Sequence, residues 1–129
     1  MKRVTGIGGV FFQCEDPGKM NEWYGKHLGL PVNQWGASFK WRHEDNPEKT
    51  GLTQWSTMKT GTEYFAPSEK PFMINYRVEN LVELVETLKA EGVQVVGEMQ
   101  EFDYGKFGWI LDPEGNKIEL WEPPAEETL

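Results

Sequence analysis

The feature that most constrains the fold of this chain is an internal repeat in the order of its elements. Each half begins with an apolar, strand-like run, continues with a helix pattern that opens on a capping residue, and ends that helix at a glycine. The residues at these positions are Asp16 and Gly29 in the first half and Asn80 and Gly92 in the second. Three extended segments follow each helix. The repeat therefore predicts an α+β fold made of two βαβββ modules.

Hydrophobic periodicity sets the expected bounds of these elements. Alternation and short apolar runs predict strands over residues 7–14, 38–43, 52–58, 72–78, 93–96, 107–111 and 117–121. Apolar residues at helical spacing predict a first helix over residues 19–28 and a second that begins after Asn80. We expect a single domain over residues 1–129, with modules at about 5–58 and 72–122 and a linker at 59–71. An α+β sandwich with a coincidental rhythm is the alternative.

Composition excludes several classes of protein. The 129 residues include 38% hydrophobic and 13% aromatic residues, enough for a core and for an aromatic surface or pocket. The formal net charge is −8 and no basic run is present, so we expect no nucleic-acid partner. The single cysteine, Cys14, cannot form an internal disulfide, and no apolar stretch reaches the length of a membrane span. We expect a soluble, cytoplasmic protein with no membrane partner.

Two stretches carry a family likeness. Residues 9–30, GVFFQCEDPGKMNEWYGKHLGL, and residues 112–123, DPEGNKIELWEP, resemble the opening and closing segments of vicinal-oxygen-chelate proteins. That superfamily includes glyoxalase I, bleomycin- and fosfomycin-resistance proteins and extradiol dioxygenases. The resemblance implies two βαβββ modules that each curl into a half-barrel, with one cavity enclosed between them. It also implies a homodimer.

The same resemblance implies where a metal would bind. Enzymes of the superfamily hold a divalent metal with His on the first strand, a carboxylate or similar group on the fourth, His on the fifth and Glu on the eighth. Carried onto this sequence, these positions fall on Gly9, Gln54 (or Thr53 or Trp55), Met73 and Glu119. Only Glu119 supplies a usual ligand, so we expect no metal site and no cofactor, and no glyoxalase I activity. A divalent metal is the alternative.

Strand alternation and the family's registration together predict the residues that face the cavity. They are Phe11 and Gln13 on the first strand, Met73, Asn75 and Arg77 on the fifth, and Glu119 and Trp121 on the last, joined by Trp109. These residues form an aromatic-walled pocket with a few polar anchors, which suits a flat or extended organic ligand. Glu119 is the candidate catalytic base or anchor. The alternative for Arg77 and Glu119 is a simple ion pair inside the barrel.

The two histidines need separate interpretations. His43 shares a face of its predicted strand with Phe39 and Trp41, so it binds substrate or acts as a base if that face lines the cavity, and is an ordinary strand residue if it does not. His27 lies near the end of the first predicted helix, where a cation is favourable.

Two functions follow from these expectations. The first is an enzyme that binds and transforms a small organic molecule, with Glu119 as base or anchor. The second is a non-catalytic protein that sequesters a drug or metabolite, as bleomycin-resistance proteins do. A third possibility is a scaffold that only mediates interactions. The aromatic residues of the predicted linker either close one end of the cavity or form a dimer interface.

Overall fold

A computed structural model describes residues 2–127 as one eight-stranded sheet with two helices. The first half contains β1 (Val4–Cys14), α1 (Pro17–Leu28), β2 (Val32–Asn33), β3 (Gly36–Arg42) and β4 (Thr50–Lys59). The second half contains β5 (Phe72–Val78), α2 (Leu81–Ala90), β6 (Gln100–Phe102), β7 (Gly105–Leu111) and β8 (Lys117–Glu122). Each half thus has the order strand, helix and three strands, and the predicted α+β fold class is confirmed.

The sheet joins the two halves through their first strands. Its order is β2-β3-β4-β1-β5-β8-β7-β6, in which β1 and β5 run antiparallel at the centre. The last strand of each half lies parallel beside its first strand, β4 beside β1 and β8 beside β5. The four central strands therefore come equally from both halves, and any site on them is shared.

Both helices start where the capping residues predict. The Asp16 carboxylate accepts a hydrogen bond from the Lys19 amide at 3.1 Å, and the Asn80 side-chain oxygen Oδ1 accepts one from the Glu83 amide at 3.2 Å. Gly29 ends α1 with φ at 70°, a left-handed conformation that favours glycine. These local signals mark the start of both helices, and at α2 the Leu81 amide also donates to Glu122 Oε1 of β8 at 2.8 Å.

The helices cover the convex face of the sheet. Three residues of α2 (Leu81, Leu84 and Val85) pack against Val78, Ile110 and Leu120 to form the larger apolar cluster. On α1, the Tyr24 ring lies 4.9 Å from the Trp55 ring of β4, although no residue of α1 is fully buried. Because helices occupy this face, residues that alternate to the concave face are available for a cavity. Within residues 2–127 no helix is long and apolar enough to cross a membrane.

One predicted strand is wrong. Residues 93–96 form no strand: Val95 makes only an isolated bridge with Ile110, and the edge strand is β6 instead. The reason is tertiary, because Val93 and Val95 pack into the apolar cluster of α2. Gly97, with φ at 68°, then turns the chain before pairing resumes at β6.

Candidate functional site

The sheet register brings one residue from each of the four central strands to the same level of the concave face. Gly9 of β1 pairs with Gln54 of β4 on one side and with Asn75 of β5 on the other, and Asn75 pairs with Glu119 of β8. The fifth-strand position of this row is therefore Asn75. Met73, predicted for that position, pairs with Phe11 one level away. The prediction of Met73 failed because the pairing of β1 with β5 is irregular, and strand alternation alone does not reveal its register.

A bulge in β1 removes the space for a side chain at the centre of this row. The pairing of β1 with β5 shifts register between Ile7 and Gly9. A Cβ atom on Gly8 would lie 2.1 Å from Asn75 Oδ1, and one on Gly9 would lie 2.8 Å from the Phe11 ring. Both distances are too short for real atoms. A larger residue at either position would therefore require Asn75 or Phe11 to move, and the first-strand histidine of the superfamily has no counterpart at these glycines.

Glu119 is buried at the centre of the site and is held by three donors. Glu119 is only 2% exposed to solvent. Oε1 accepts a hydrogen bond from Asn75 Nδ2 at 2.7 Å, and Oε2 accepts one from Trp109 Nε1 at 2.9 Å and one from the Tyr64 hydroxyl. Both carboxylate oxygens are therefore engaged by the protein, as a buried carboxylate requires.

Tyr64 is a partner of Glu119 that the sequence did not assign. It lies between β4 and β5, where its only signal was an aromatic residue in the predicted linker. Burial, reinforced by the charge of Glu119, raises the pKa of Tyr64 above its ordinary value. The hydroxyl thus stays protonated and can donate to Glu119. Lys117 Nζ donates in turn to the Tyr64 carbonyl oxygen at 2.7 Å.

The residues of the central row do not fit a divalent metal of the kind that the superfamily's enzymes hold. The row supplies two carboxamides and one carboxylate, with no imidazole, and Glu119 already accepts three hydrogen bonds. Gln54 Oε1 accepts from the Ser38 hydroxyl. Across residues 2–127, no three His, Cys, Asp or Glu side chains come together as a metal-binding group.

A cavity of about 650 Å³ opens beside this row on the concave face. Its aromatic wall is formed by Phe11, Trp35, Tyr104, Phe107 and Trp121. The rings of Phe107 and Trp121 are nearly parallel, 9° apart, with centroids separated by 6.2 Å. The wall draws on both halves of the chain.

The polar part of the cavity lies on the central row. Gln54, Asn75 and Glu119 line it, and the buried Asn75 Oδ1 has no hydrogen-bond partner within the described residues. Donation from Asn75 Nδ2 to Glu119 fixes the orientation of the amide. Asn75 Oδ1 is therefore a buried acceptor without a partner that lies next to the cavity, against Gly8.

Arg77 pairs with a residue that the sequence did not suggest. The ion pair with Glu119, considered above as an alternative, does not form, because Arg77 lies one level further along β5, beside Trp121. Instead its Nη1 and Nη2 donate to the two carboxylate oxygens of Glu127, the former at 2.7 Å. The rings of Trp41 and Trp121 lie 4.7 and 5.1 Å from the guanidinium carbon.

The predicted site residues thus separate into three groups. The cavity is lined by Phe11, Gln54, Asn75, Glu119 and Trp121. Met73 and Trp109 lie beneath it in a buried cluster with Phe65, and Gln13 is not part of its lining. His43 and Arg77 line a neighbouring cavity of about 940 Å³. The sequence missed Trp35, Tyr104 and Phe107, which lie outside the strand positions that the family pattern emphasises.

Comparison with known proteins places this geometry in a family. The model of the glyoxalase-like domain matches residues 9–121. The chain belongs to the glyoxalase-like domain family. The resemblance to the vicinal-oxygen-chelate superfamily is thereby confirmed. No curated protein matches the chain in sequence.

Solved structures show the same fold at low identity. Methylmalonyl-CoA epimerase from Mycobacterium tuberculosis is 22% identical with a TM-score of 0.63, covering 96% of this chain and 91% of that one. A Streptomyces coelicolor methylmalonyl-CoA epimerase variant in complex with 2-nitronate-propionyl-CoA is 18% identical with a TM-score of 0.67, covering 95% and 99%. The Mn(II)-bound glyoxalase from Novosphingobium aromaticivorans is 17% identical with a TM-score of 0.63, covering all of this chain and 43% of that one. These likenesses establish the fold alone.

Proposed function

We propose that this glyoxalase-like protein binds a small organic molecule with a flat aromatic ring in the cavity on its concave face. The observation that supports this most is the juxtaposition of an aromatic wall with the unpartnered oxygen of Asn75. Small-molecule pockets have volumes of about 300 to 1,000 Å³ and combine apolar walls with few polar groups. The cavity of about 650 Å³ has both properties.

The aromatic wall favours a planar ligand. Phe107 and Trp121 present nearly parallel rings, and Tyr104 packs edge-on against Phe107 with centroids 5.6 Å apart. Trp35 belongs to the other half of the chain and is 73% exposed. A ring that enters the cavity covers apolar surface on Trp35 and Tyr104 that water otherwise contacts.

Asn75 supplies the polar anchor. A buried acceptor without a partner costs about 1–3 kcal/mol, and an N–H or O–H group on the ligand recovers that cost. The hydrogen bond from Asn75 to Glu119 keeps the acceptor pointing in one direction. We therefore propose a ligand that carries a donor at the edge of its ring.

The surroundings of Glu119 favour the non-catalytic alternative, in which the protein sequesters its ligand. A general base needs a lone pair within hydrogen-bond reach of the substrate proton. Here Asn75, Trp109 and the Tyr64 hydroxyl occupy three of the about four lone-pair sites of the carboxylate, so that only one site, on Oε1 beside Asn75, is left for a substrate proton. We propose that Glu119 positions Asn75, in place of the catalytic role that the sequence suggested, and that no metal takes part.

Affinity measurements with indole as probe test this function. Indole is flat and carries one N–H donor, whereas 1-methylindole lacks the donor. We expect indole to bind, and 1-methylindole to bind about 5- to 10-fold more weakly, as the loss of one net hydrogen bond implies. Isothermal titration calorimetry gives both dissociation constants.

Two variants locate the binding. Tyr104→Ala removes a ring that lines the cavity and is 60% exposed, so the fold should tolerate it. Phe72→Ala is the control, because its ring is 41% exposed, does not line the cavity, and lies on the opposite face of β5 from Met73 and Asn75. We expect Tyr104→Ala to weaken indole binding and Phe72→Ala to leave it unchanged. Equal effects of the two variants, or no indole binding to folded protein, would contradict the proposal.

A further inference from the structure

The segment that follows β8, residues 123–127, lies across the concave face and separates two cavities. Pro124 and Glu127 line both the cavity of about 650 Å³ and the neighbouring one of about 940 Å³. The first contains the aromatic wall, and the second contains Arg77 and His43. Movement of this short segment would join the two cavities into one groove.

Arg77 has the geometry of a carboxylate receptor. It is 3% exposed, and its guanidinium lies between the rings of Trp41 and Trp121. Nη1 and Nη2 donate in parallel to one carboxylate, Nη1 also donates to the Leu52 carbonyl oxygen at 2.9 Å, and Nε has no partner within residues 2–127. A planar guanidinium held by two rings is pre-organised for bidentate recognition of a carboxylate.

Two further groups of the sheet region point at the same carboxylate. The Leu52 amide donates to Glu127 Oε1 at 3.1 Å. His43 Nε2 lies 3.8 Å from Glu127 Oε2, and this buried nitrogen has no hydrogen-bond partner within the described residues. The receptor groups thus belong to or adjoin β3, β4 and β5, whereas the carboxylate comes from outside the sheet. The sheet region thus provides a binding site for a carboxylate, and Glu127 occupies it.

We propose that Arg77, with the Leu52 amide and His43, is a subsite for a carboxylate group of the ligand, and that Glu127 occupies it until the ligand displaces it. The inference rests on the proposed function and deepens it by assigning an acidic group to the aromatic ligand. In the displaced state the ligand's carboxylate binds Arg77 and its ring reaches the aromatic wall past Trp121. Trp121 connects the carboxylate subsite with the aromatic wall, since it packs against Arg77 and also lines the cavity.

Displacement predicts a competition that can be measured. Glu127 lies five residues beyond the end of β8, whose Trp121 packs against Arg77. A carboxylate on such a short tether acts at an effective concentration of about millimolar or above. A free carboxylate therefore binds the wild-type protein more weakly than a variant that lacks the tethered competitor. A ligand without a negative charge gains nothing from the loss of the competitor.

Benzoate and benzamide are the probes, because they share a ring and differ in charge. Glu127→Gln removes the charge of the occupant and keeps its shape. Glu22→Gln is the control, since it changes the net charge equally and Glu22 is exposed on α1 and lines neither cavity. We expect benzoate to bind Glu127→Gln at least about 10-fold more tightly than the wild type or the control. Benzamide should bind all three proteins equally.

NMR relaxation of the wild-type protein gives a second test that needs no variant. If the segment is displaced it becomes more mobile, so benzoate should lower the heteronuclear NOE of the Ala125, Glu126 and Glu127 amides, and benzamide should not. If Glu127→Gln gains no affinity for benzoate, and benzoate leaves these values unchanged, then Glu127 is a fixed structural partner of Arg77 and the inference is overturned. If indole still binds in that case, the proposed function stands. Failure of indole to bind overturns the proposed function, and with it the inference.

Discussion

Removal of the Tyr64 hydroxyl tests the hydrogen-bond network around Glu119. In Tyr64→Phe, Glu119 keeps its bonds from Asn75 and Trp109 and loses the third donor. A hydrogen bond to a charged group contributes about 1.5–3 kcal/mol, and the carboxylate is only 2% exposed. We expect the free energy of unfolding to fall by about 2 kcal/mol. With a urea slope of about 1.5 kcal/mol/M, the unfolding midpoint falls by roughly 1 M.

The control for this measurement is Tyr24→Phe. Tyr24 lies on α1, and its hydroxyl makes no side-chain hydrogen bond within residues 2–127, so the variant loses an oxygen atom and no contact of this kind. Its midpoint should stay within about 0.3 M of the wild type, as for a substitution that removes no specific contact. Similar midpoints for Tyr64→Phe and Tyr24→Phe would refute the view that the Tyr64 hydroxyl holds Glu119.

Four further predictions can be tested, three from the structure and one from the family resemblance. Because the pKa of Tyr64 is raised in the folded protein, the protonated hydroxyl contributes its full stabilisation below the ordinary tyrosine pKa of about 10, and this contribution is lost as the pH rises further. Urea denaturation between pH 8 and 11 should therefore show that the free energy of unfolding falls more steeply with pH for the wild type than for Tyr64→Phe. Gly8→Ala, whose Cβ would lie 2.1 Å from Asn75 Oδ1, should destabilise the protein by about 1–3 kcal/mol, whereas Gly108→Ala, with its nearest atom 3.5 Å away, should not; thermal denaturation compares them. Nickel, zinc and manganese should cause no stoichiometric rise in the melting temperature, and a rise that saturates at one ion per chain would contradict the proposed absence of a metal site. The homodimer stays a prediction, and light scattering should give twice the mass of the chain; the mass of a single chain would contradict it.

Local signals in the sequence were sufficient for the architecture. Asp16 and Asn80 cap their helices through their own neighbours, so the repeat of capped helices and following strands predicted the two βαβββ halves. Where tertiary packing outweighs a local pattern, prediction failed. The alternation of Val93 and Val95 resembles a strand, but both residues pack against α2, and the edge strand forms after Gly97.

The site was less predictable because it depends on register and on contacts between distant parts of the chain. The bulge in β1, which sets the level of Asn75, leaves no local pattern that distinguishes it from regular alternation. The partners Tyr64 and Glu119 are 55 positions apart, and Arg77 and Glu127 are 50 apart. Strand alternation and the family's registration identified Glu119 and Arg77 as polar groups of the concave face, but only the fold shows which partner each receives.

The central claim, that the cavity on the concave face binds a flat aromatic molecule with a donor, is tested most directly by the tryptophan indole signals of the intact protein. Indole is titrated while two-dimensional NMR follows the ring N–H groups, assigned from single Trp→Phe variants. Trp35 and Trp121 line the cavity, whereas Trp23 lies on α1 and is 51% exposed, which makes it an internal control. We predict that the signals of Trp35 and Trp121 shift and saturate together while that of Trp23 stays in place. Shifts confined to Trp23, or no saturable shift at all, would contradict the claim.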